Sequence, residues 1–379
     1  MTRVLHVITD LSRGGAERTL CTLLTSDRRR SHDVVLSMSD AGTYGPILTN
    51  AGFTVISLGM KKTSLRPGPL ARAVRKVREI RPDLIQGWMY HGNLVASILG
   101  IAVGERIPVL WNVRHSLYEP RNERVRTRLV LHVSRFLVSR VARVLYNCER
   151  SRVQHEMFGF DGSESLVIPN GFDSAHWRPD GVARAEFRRE HCISEQALVV
   201  GHVARVHPIK DHQTFLRAAA RVGSAMPNVH FVIVGRGAGT LRDRIPTALG
   251  ASPNGRVHLL EERSDIERVL PAFDVFCLSS RAEAFPNALA EAMACGVPCV
   301  ATDVGECREI LGTTGAAVPA GDERAMAAAI FQLLQKDPSL RRTLGLRARE
   351  RIVSRFELND TLDAYTRVYD DTAATPREF

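Results

Sequence analysis

Glu283-Ala284-Phe285-Pro286-Asn287-Ala288-Leu289-Ala290-Glu291 runs directly into Ala292-Met293-Ala294-Cys295-Gly296-Val297-Pro298, and the segments flanking it decide the fold. Upstream, Asp274-Val275-Phe276-Cys277-Leu278 is an apolar run of strand length; downstream, Pro298-Cys299-Val300-Ala301-Thr302 is another. A helical pattern separates them, so the segment reads as one β-α-β unit with Glu283 in the loop that leaves the first strand. In open α/β sheets the ligand crevice lies at such carboxyl ends of strands.

Pro286 suits a first helical turn, where its fixed φ helps and its missing amide costs nothing. The amides of Asn287, Ala288 and Leu289 then point out of the helix start, where the macrodipole adds partial positive charge and a phosphate or diphosphate is welcome. Glu291 lies about one turn further in, on the face of Asn287. A carboxylate there fits a pair of hydroxyls, such as a ribose diol beside the diphosphate. Glu283, ahead of the helix, falls on the side of a sugar on the far phosphate. Either acid alone also reads as an ordinary solvated residue; the spacing of the two suggests a nucleotide-sugar cradle.

Outward from this unit, strand-like runs alternate with helical patterns. The first half gives strands at 3–8, 33–38, 53–58, 83–86, 107–112, 143–147 and 165–168, with helices at 16–26, 70–80, 92–102, 122–141 and 149–157. The second half gives strands at 198–203, 229–234, 256–260, 274–278 and 298–302, with helices at 212–225, 287–294, 324–335, 338–354 and 358–371. This order calls for parallel sheets with crossover helices. The 379 residues suffice for two such domains, and the polar stretch from Pro169-Asn170-Gly171-Phe172-Asp173 to Gly181 is the expected linker. The expected division is 1–175, 176–355, and a C-terminal helix and tail, 356–379, returning to the first domain.

No run of about 18 apolar residues is present, so no membrane span is expected. The N-terminal run Arg3 to Thr9 is too short for a signal-peptide core, which leads to an expected cytosolic location. Seven cysteines form no C-x-x-C pair and read as reduced core residues. The net charge of +10 resides entirely in the first half: residues 1–180 carry 26 Lys and Arg against 16 Asp and Glu. Lys61, Lys62, Arg66, Arg72, Arg75, Lys76, Arg78 and Arg81 form one basic stretch. Arg124, Arg126, Arg128, Arg135, Arg140 and Arg143 alternate with apolar residues in another. The second pattern leaves two readings open, a helix packed on its sheet in an Arg-rich protein, or a basic amphipathic helix resting on anionic lipid at the inner membrane face. Nucleic acid is excluded as a partner, because no aromatic residues interleave with the basic ones and no zinc-finger or RNA-binding signature occurs.

Arg205 and Lys210 end another strand, in His202-Val203-Ala204-Arg205-Val206-His207-Pro208-Ile209-Lys210-Asp211, and supply two cations where a diphosphate on the Glu283 side lies in reach. Only five lysines accompany 46 arginines, so a Lys at this place is notable as a compact point charge. Ser12-Arg13-Gly14-Gly15-Ala16-Glu17 follows the first strand and lets a substrate approach the backbone closely. Gly235-Arg236-Gly237-Ala238-Gly239 is a broken dinucleotide fingerprint that still could line a nucleotide cleft; it lacks the G-x-G-x-x-G spacing, which argues against a nicotinamide cofactor. His115 follows a first-half strand and is placed to face a cleft. No D-x-D pair and no metal-ligand spacing occur, so no metal is expected and no cofactor is needed.

These motifs resemble, over nearly the whole length, the GT-B retaining glycosyltransferases of family 4, the group 1 type. The resemblance is carried by Gly14-Gly15-Ala16-Glu17, Asn170-Gly171-Phe172-Asp173, Arg205 with Lys210, and above all Glu283 to Pro298. It implies two Rossmann-like domains facing across a cleft, the first for an acceptor and the second for a nucleotide-diphosphate sugar. It also implies Glu291 as ribose ligand, Glu283 beside the donor sugar, and Arg205 and Lys210 as diphosphate clamp. Phe285, Asn287 and Ala288 join them on the donor side. By the same resemblance Gly14 and Gly15 lie toward the acceptor with Gly15 also near phosphate, Arg263 near the base, and His115 at the donor sugar as a catalytic partner of Glu283. Two positions depart from the family pattern, Ala204 in place of a Gly and Phe172 in place of a small aliphatic.

The expected activity is transfer of a hexose or N-acetylhexosamine, with retention, from a UDP-sugar to a hydroxyl of a glycan or lipid-linked glycan in bacterial surface-polysaccharide synthesis. A GDP-mannose-dependent transferase, a sugar-nucleotide hydrolase or epimerase, and an inactive nucleotide-sugar-binding subunit remain open beside it.

Overall fold

The structure, a computed structural model, describes residues 2–26, 32–60, 67–104, 107–118, 121, 124–161, 164–246, 249 and 255–374. The basic residues Lys61, Lys62 and Arg66 lie outside the described residues. The chain divides into two compact units, Met1–Asn170 with Asp360–Phe379, and Gly171–Asn359.

The crossings between units fall at 170/171 and 359/360, a few residues from the expected 175/176 and 355/356. Local bonding explains the difference. The Phe172 amide donates to the Phe356 carbonyl at 2.8 Å, the Leu358 amide donates back to the Phe172 carbonyl at 3.1 Å, and the Phe172 ring stacks on Phe285 at 6.1 Å. Asn170 stays with the first unit because the Arg114 guanidinium donates to its side-chain oxygen.

The first unit holds seven parallel strands: β1 (Val4–Ile8), β2 (Val34–Ser37), β3 (Thr54–Ser57), β4 (Leu84–Trp88), β5 (Val109–Val113), β6 (Arg143–Tyr146) and β7 (Glu164–Val167). Their spatial order is β3-β2-β1-β4-β5-β6-β7. The second holds six: β8 (Leu198–Val203), β9 (Val229–Val234), β10 (Val257–Leu260), β11 (Val275–Leu278), β12 (Cys299–Thr302) and β13 (Ala316–Val318), ordered β10-β9-β8-β11-β12-β13. Central strands such as β1, β4, β5 and β11 are buried at every position, the signature of parallel strands covered by helices on both faces. Each unit has its own apolar core, one around Trp111, Leu94 and Phe160, the other around Phe215, Phe231 and Met326. In both sheets the first strand lies in the middle, so the strand order reverses beside it, between β1 and β4 and between β8 and β11.

The C-terminal helix Leu358–Ala374 packs on the first sheet, as its sequence position suggested. Tyr365 lies parallel to Trp88 at 6.3 Å and its hydroxyl accepts from Asn112 Nδ2 at 2.8 Å, while the Tyr369 hydroxyl donates to Gln86. Several elements escape the sequence pattern. The helix Tyr44–Asn50 carries Gly45 and Pro46 in its first turn, where they are tolerated. The strand β13 is only three residues long. The helix Gly181–Glu190 begins inside the expected linker, announced by Asp180, which accepts from the amides of Val182 and Ala183 at 2.9 Å.

All seven cysteines are free, six of them buried and Cys192 exposed. Burial pushes the Cys21 thiol up to about 11.

A histidine cluster at the β9–β10 edge gives a first prediction. His230 Nδ1 and His258 Nε2 are 3.0 Å apart, and His191 meets His258 edge-on at 6.0 Å. Burial, then the neighbouring His230 and His191, pushes His258 from 6.5 down to about 4; burial followed by Arg256 lowers His230, and burial outweighs Glu190 in lowering His191. Between those pH values the unfolded chain holds more protons than the folded one, so stability rises with pH across the window and is complete above it. The melting temperature is expected to be flat above pH 7 and lower by roughly 5 °C at pH 5. Equal melting temperatures at pH 5 and 7.5 would contradict this account.

Candidate functional site

The reversal between β8 and β11 opens a crevice at the carboxyl edge of the second sheet. Two loops flank it, Ala204 to Asp211 after β8 and Ser279 to Pro286 after β11, and the chain stitches them together. The Arg281 amide donates to the Ile209 carbonyl at 2.8 Å, and Ser279 Oγ to the Lys210 carbonyl at 2.9 Å. Lys210 Nζ meets Glu283 Oε1 at 2.5 Å, and Ser280 Oγ donates to the same oxygen at 2.6 Å. The ion pair is largely shielded, with side-chain exposures of 22% and 11%. In such surroundings a charge-assisted bond is stronger than at a surface, and loss of either partner leaves a costly lone charge.

Asp211 anchors the Lys210 end. It sits at φ 45°, in the left-handed region that its short polar side chain tolerates, and caps the helix His212–Ala225 by accepting from the Thr214 amide. Its second carboxylate oxygen takes Thr214 Oγ1 and Arg281 Nε, each at 2.8 Å.

A third loop, after β12, holds Glu283 from behind. Thr302 Oγ1 donates to the Ser280 carbonyl at 2.6 Å and the Glu306 amide to the Ala284 carbonyl at 3.0 Å. Gly305, at φ 53°, packs so closely that a Cβ there would stand 2.2 Å from the Glu283 carbonyl oxygen. On the other flank Gly235, at φ 151°, brings the β9 loop against Ala204, where a Cβ would stand 2.1 Å from the Ala204 carbonyl oxygen. The glycine that this close approach requires is therefore at 235. Ala204 keeps a negative φ, which is why a residue other than Gly is accommodated there.

The remaining second-unit residues fall into place unequally. Arg205 is exposed on the same loop as Lys210, and its guanidinium makes no hydrogen bond or ion pair among the described residues. Glu291 is 5% exposed on the helix Asn287–Ala294, whose other residues from Leu289 onward are buried and apolar. A carboxylate held in such a place needs partners, and Glu291 has one within the chain.

Pro286 precedes this helix as its N-cap, at φ −78° and ψ 94°, and its carbonyl accepts from the Leu289 amide at 3.2 Å. The expected trio of outward amides is thereby corrected: Leu289 is bonded inside the first turn, leaving the places of Asn287 and Ala288 at the helix start. Phe285 is 7% exposed between Phe172 and Phe356, so its ring is committed to packing. The same contact explains Phe172, whose ring fills space that a small aliphatic would leave open.

Arg263 is not brought to the Lys210–Glu283 pair. It follows β10, two strands and roughly 10 Å from β8, and its guanidinium closes as a fork on Asp265 at 2.9 and 2.8 Å. The Gly235–Gly239 loop is also occupied from within. Glu261 accepts from the amides of Gly237 at 2.8 Å and Gly239 at 3.0 Å, bonds that lower its pKa. An internal carboxylate thus takes the amides that a dinucleotide phosphate would need.

In the first unit Gly14 caps the helix Gly15–Thr25, directly after the β1 loop, and the Glu17 carboxylate folds back so that a Cβ on Gly14 would lie 2.1 Å from it. His115 lies two residues past β5, its ring edge-on to Tyr90 at 6.0 Å and its carbonyl accepting from Ser151 Oγ at 2.7 Å. Gly14 and His115 leave strands separated only by β4, on the carboxyl edge of the sheet.

Among the described residues no group of three or more His, Cys, Asp or Glu is arranged to hold a metal, and no helix is long and apolar enough to cross a membrane. Sequence reasoning missed Asp211, Ser280, Arg281, Thr302 and Gly305. Asp211, just before a helix, carried an N-cap signal, and Gly305, just after a strand, a turn signal. The other three act through contacts between loops far apart in sequence.

The chain is similar to known proteins in both sequence and fold. Residues 13–176 match the family described as Glycosyltransferase Family 4, and residues 197–336 the family described as Glycosyl transferases group 1. The chain is 28% identical to the glycosyltransferase named EpsF of Bacillus subtilis (strain 168), over 79% of each chain. It is 31% identical to N-acetyl-alpha-D-glucosaminyl L-malate synthase of Bacillus anthracis over 49% of each. The chain thus spans most of the first of these relatives and about half the length of the second. The fold matches the crystal structure of Anabaena HepE in complex with UDP, with a TM-score of 0.84 and 23% identity over 97% of this chain and 100% of that one.

Proposed function

Because the chain belongs to the family 4, group 1 glycosyltransferases of the GT-B type, we propose that it transfers a hexose or N-acetylhexosamine, with retention, from a UDP-sugar to a hydroxyl of a surface glycan. The observation that carries the reading is the Lys210–Glu283 pair at the strand-order reversal, beside the exposed Arg205 and a helix start. Arg205, Lys210 and the amides of Asn287 and Ala288 meet the diphosphate, and Glu291 takes the ribose diol. Glu283 faces the transferring sugar while fixing the ammonium that stabilises the leaving diphosphate. Catalysis of this kind is positioning and electrostatic stabilisation of the leaving group, with no protein nucleophile and no divalent ion required. On the first unit the proposal gives Gly14 and Gly15 the acceptor and His115 the sugar. UDP as carrier is supported by its presence in the HepE structures, also solved with UDP-glucose. The acceptor is proposed to be lipid-linked, with the enzyme working at the cytoplasmic membrane face.

A thermal-shift screen across UDP-, GDP- and ADP-sugars tests the donor, and stabilisation by GDP-mannose alone would replace the uridine assignment. The anomeric configuration of the product, read by NMR, tests retention. Donor consumption without any acceptor would mark a hydrolase instead.

Glu291→Ala carries the second prediction. Two charge-assisted bonds to the ribose are lost, each worth about 1.5–3 kcal/mol before compensation by water. The dissociation constant of UDP is expected to rise on the order of 30-fold or more by calorimetry. An unchanged constant would remove Glu291 from the nucleotide site.

A further inference from the structure

The helix Val125–Leu137 has two apolar faces. Val130, Leu131 and Ser134 point into the core, whereas Val125, Leu129, Val133 and Phe136 point out, with Val125 71%, Leu129 65% and Phe136 82% exposed. At 100° per residue those four fall within an arc of about 80°, opposite the buried face. Arg124, Arg128 and Arg135 border the arc on one side and Arg126 on the other; no acid occurs from Arg124 to Arg143. The end of the helix Glu149–Phe158 lies alongside. Phe158 meets the His132 ring at 5.5 Å and lies beneath the Arg135 guanidinium at 5.3 Å, and the next residue back, Met157, is 85% exposed.

We propose that this surface, centred on Leu129 and Phe136, docks the enzyme on an anionic lipid bilayer. The choice of occupant rests on the preceding reading, since an enzyme with a lipid-linked acceptor has to meet a lipid surface. The charge pattern favours lipid over a protein partner. An apolar stripe bordered along its length by guanidinium groups matches a bilayer's boundary, with headgroup phosphates lying beside acyl chains. Phe136, Leu129 and Val125 enter the acyl boundary, the arginines take the phosphates, and the buried face keeps the helix on the core of its unit. The segment therefore lies in the plane of the surface and does not span it.

Co-sedimentation of the full chain with phosphatidylcholine vesicles, with and without one third phosphatidylglycerol, tests the proposal. The wild type is expected to pellet with the anionic vesicles at low salt and to be released by salt. A Leu129→Ser/Phe136→Ser variant is expected to partition at least about tenfold more weakly, and an Arg124→Glu/Arg128→Glu variant to lose its preference for the anionic vesicles. Both are expected to keep the wild-type melting temperature and UDP-dependent thermal shift. Wild-type protein left in the supernatant, or variants that pellet like wild type, would overturn the proposal. So would a wild-type dimer that ignores vesicles and that Phe136→Ser dissociates, since the face would then belong to a second copy. Vesicle binding without any nucleotide-sugar binding would instead overturn the transferase reading and leave the docking surface standing.

Discussion

Glu283→Gln is expected to lower kcat on the order of a thousandfold while leaving the dissociation constant of UDP unchanged or slightly lower. The asymmetry follows from what Glu283 holds. Its Oε1 accepts from Lys210 Nζ at 2.5 Å and Ser280 Oγ at 2.6 Å, in a setting where both charged side chains are mostly shielded. Glutamine keeps the shape and can accept from Ser280, but it removes the countercharge. The ammonium is then more available to a bound diphosphate, which protects ground-state affinity, and less fixed at the oxygen where charge develops, which slows transfer. Lys210→Met removes the other half of the pair, deprives the carboxylate of its countercharge, and is expected to weaken UDP binding as well. Because the two act as a unit, the double variant should cost little more in kcat than the worse single one. Calorimetry and initial rates on all four proteins decide the matter. Additive losses would mean that Glu283 and Lys210 work independently, and a large loss of UDP affinity in Glu283→Gln would move that residue into the nucleotide site.

The pairing itself could not be read from the sequence, although both partners could. Lys210 and Glu283 stand 73 positions apart, each placed at a strand's carboxyl end by a local apolar run, and the resemblance assigned one to phosphate and the other to sugar. Only the sheet order, which makes β8 and β11 neighbours, lets one residue neutralise the other. The strands were legible because a strand buried on both faces is a continuous apolar run, as in Val4–Ile8 and Val275–Leu278. Arg263 and Phe285 show where local reading stops. Asp265 bonds the Arg263 guanidinium and two aromatic rings enclose the Phe285 phenyl group, partners that a linear pattern does not rank. The exposed stripe on Val125–Leu137 is a similar case: the periodicity announced an amphipathic helix, but which apolar side chains pack inward depended on the neighbouring elements.

Gly305→Ala is expected to damage turnover through Glu283, though residue 305 carries no functional group. Its φ of 53° costs an alanine about 1–2 kcal/mol on its own. The larger effect is steric. A Cβ there would stand 2.2 Å from the Glu283 carbonyl oxygen and 2.6 Å from that of Ala284, and neither backbone atom can rotate away as a side chain could. The 302–306 loop is anchored independently to the neighbouring strand, where the Asp303 amide donates to the Val318 carbonyl at 2.8 Å, and so resists a shift. The Glu283 loop is therefore the part that moves, drawing the carboxylate off Lys210. A displacement of about 1 Å suffices for a loss on the order of a hundredfold in kcat. Gly321→Ala separates strain from displacement, since Gly321 has a comparable φ of 77° with nothing within 4 Å of the added carbon. Both variants are expected to melt a few degrees lower than wild type, and only Gly305→Ala to lose turnover at temperatures where circular dichroism shows it folded. If the two variants retain equal activity, the β12 loop does not position Glu283. If both lose it equally, backbone strain acting at a distance accounts for the loss and the close packing at 305 does not.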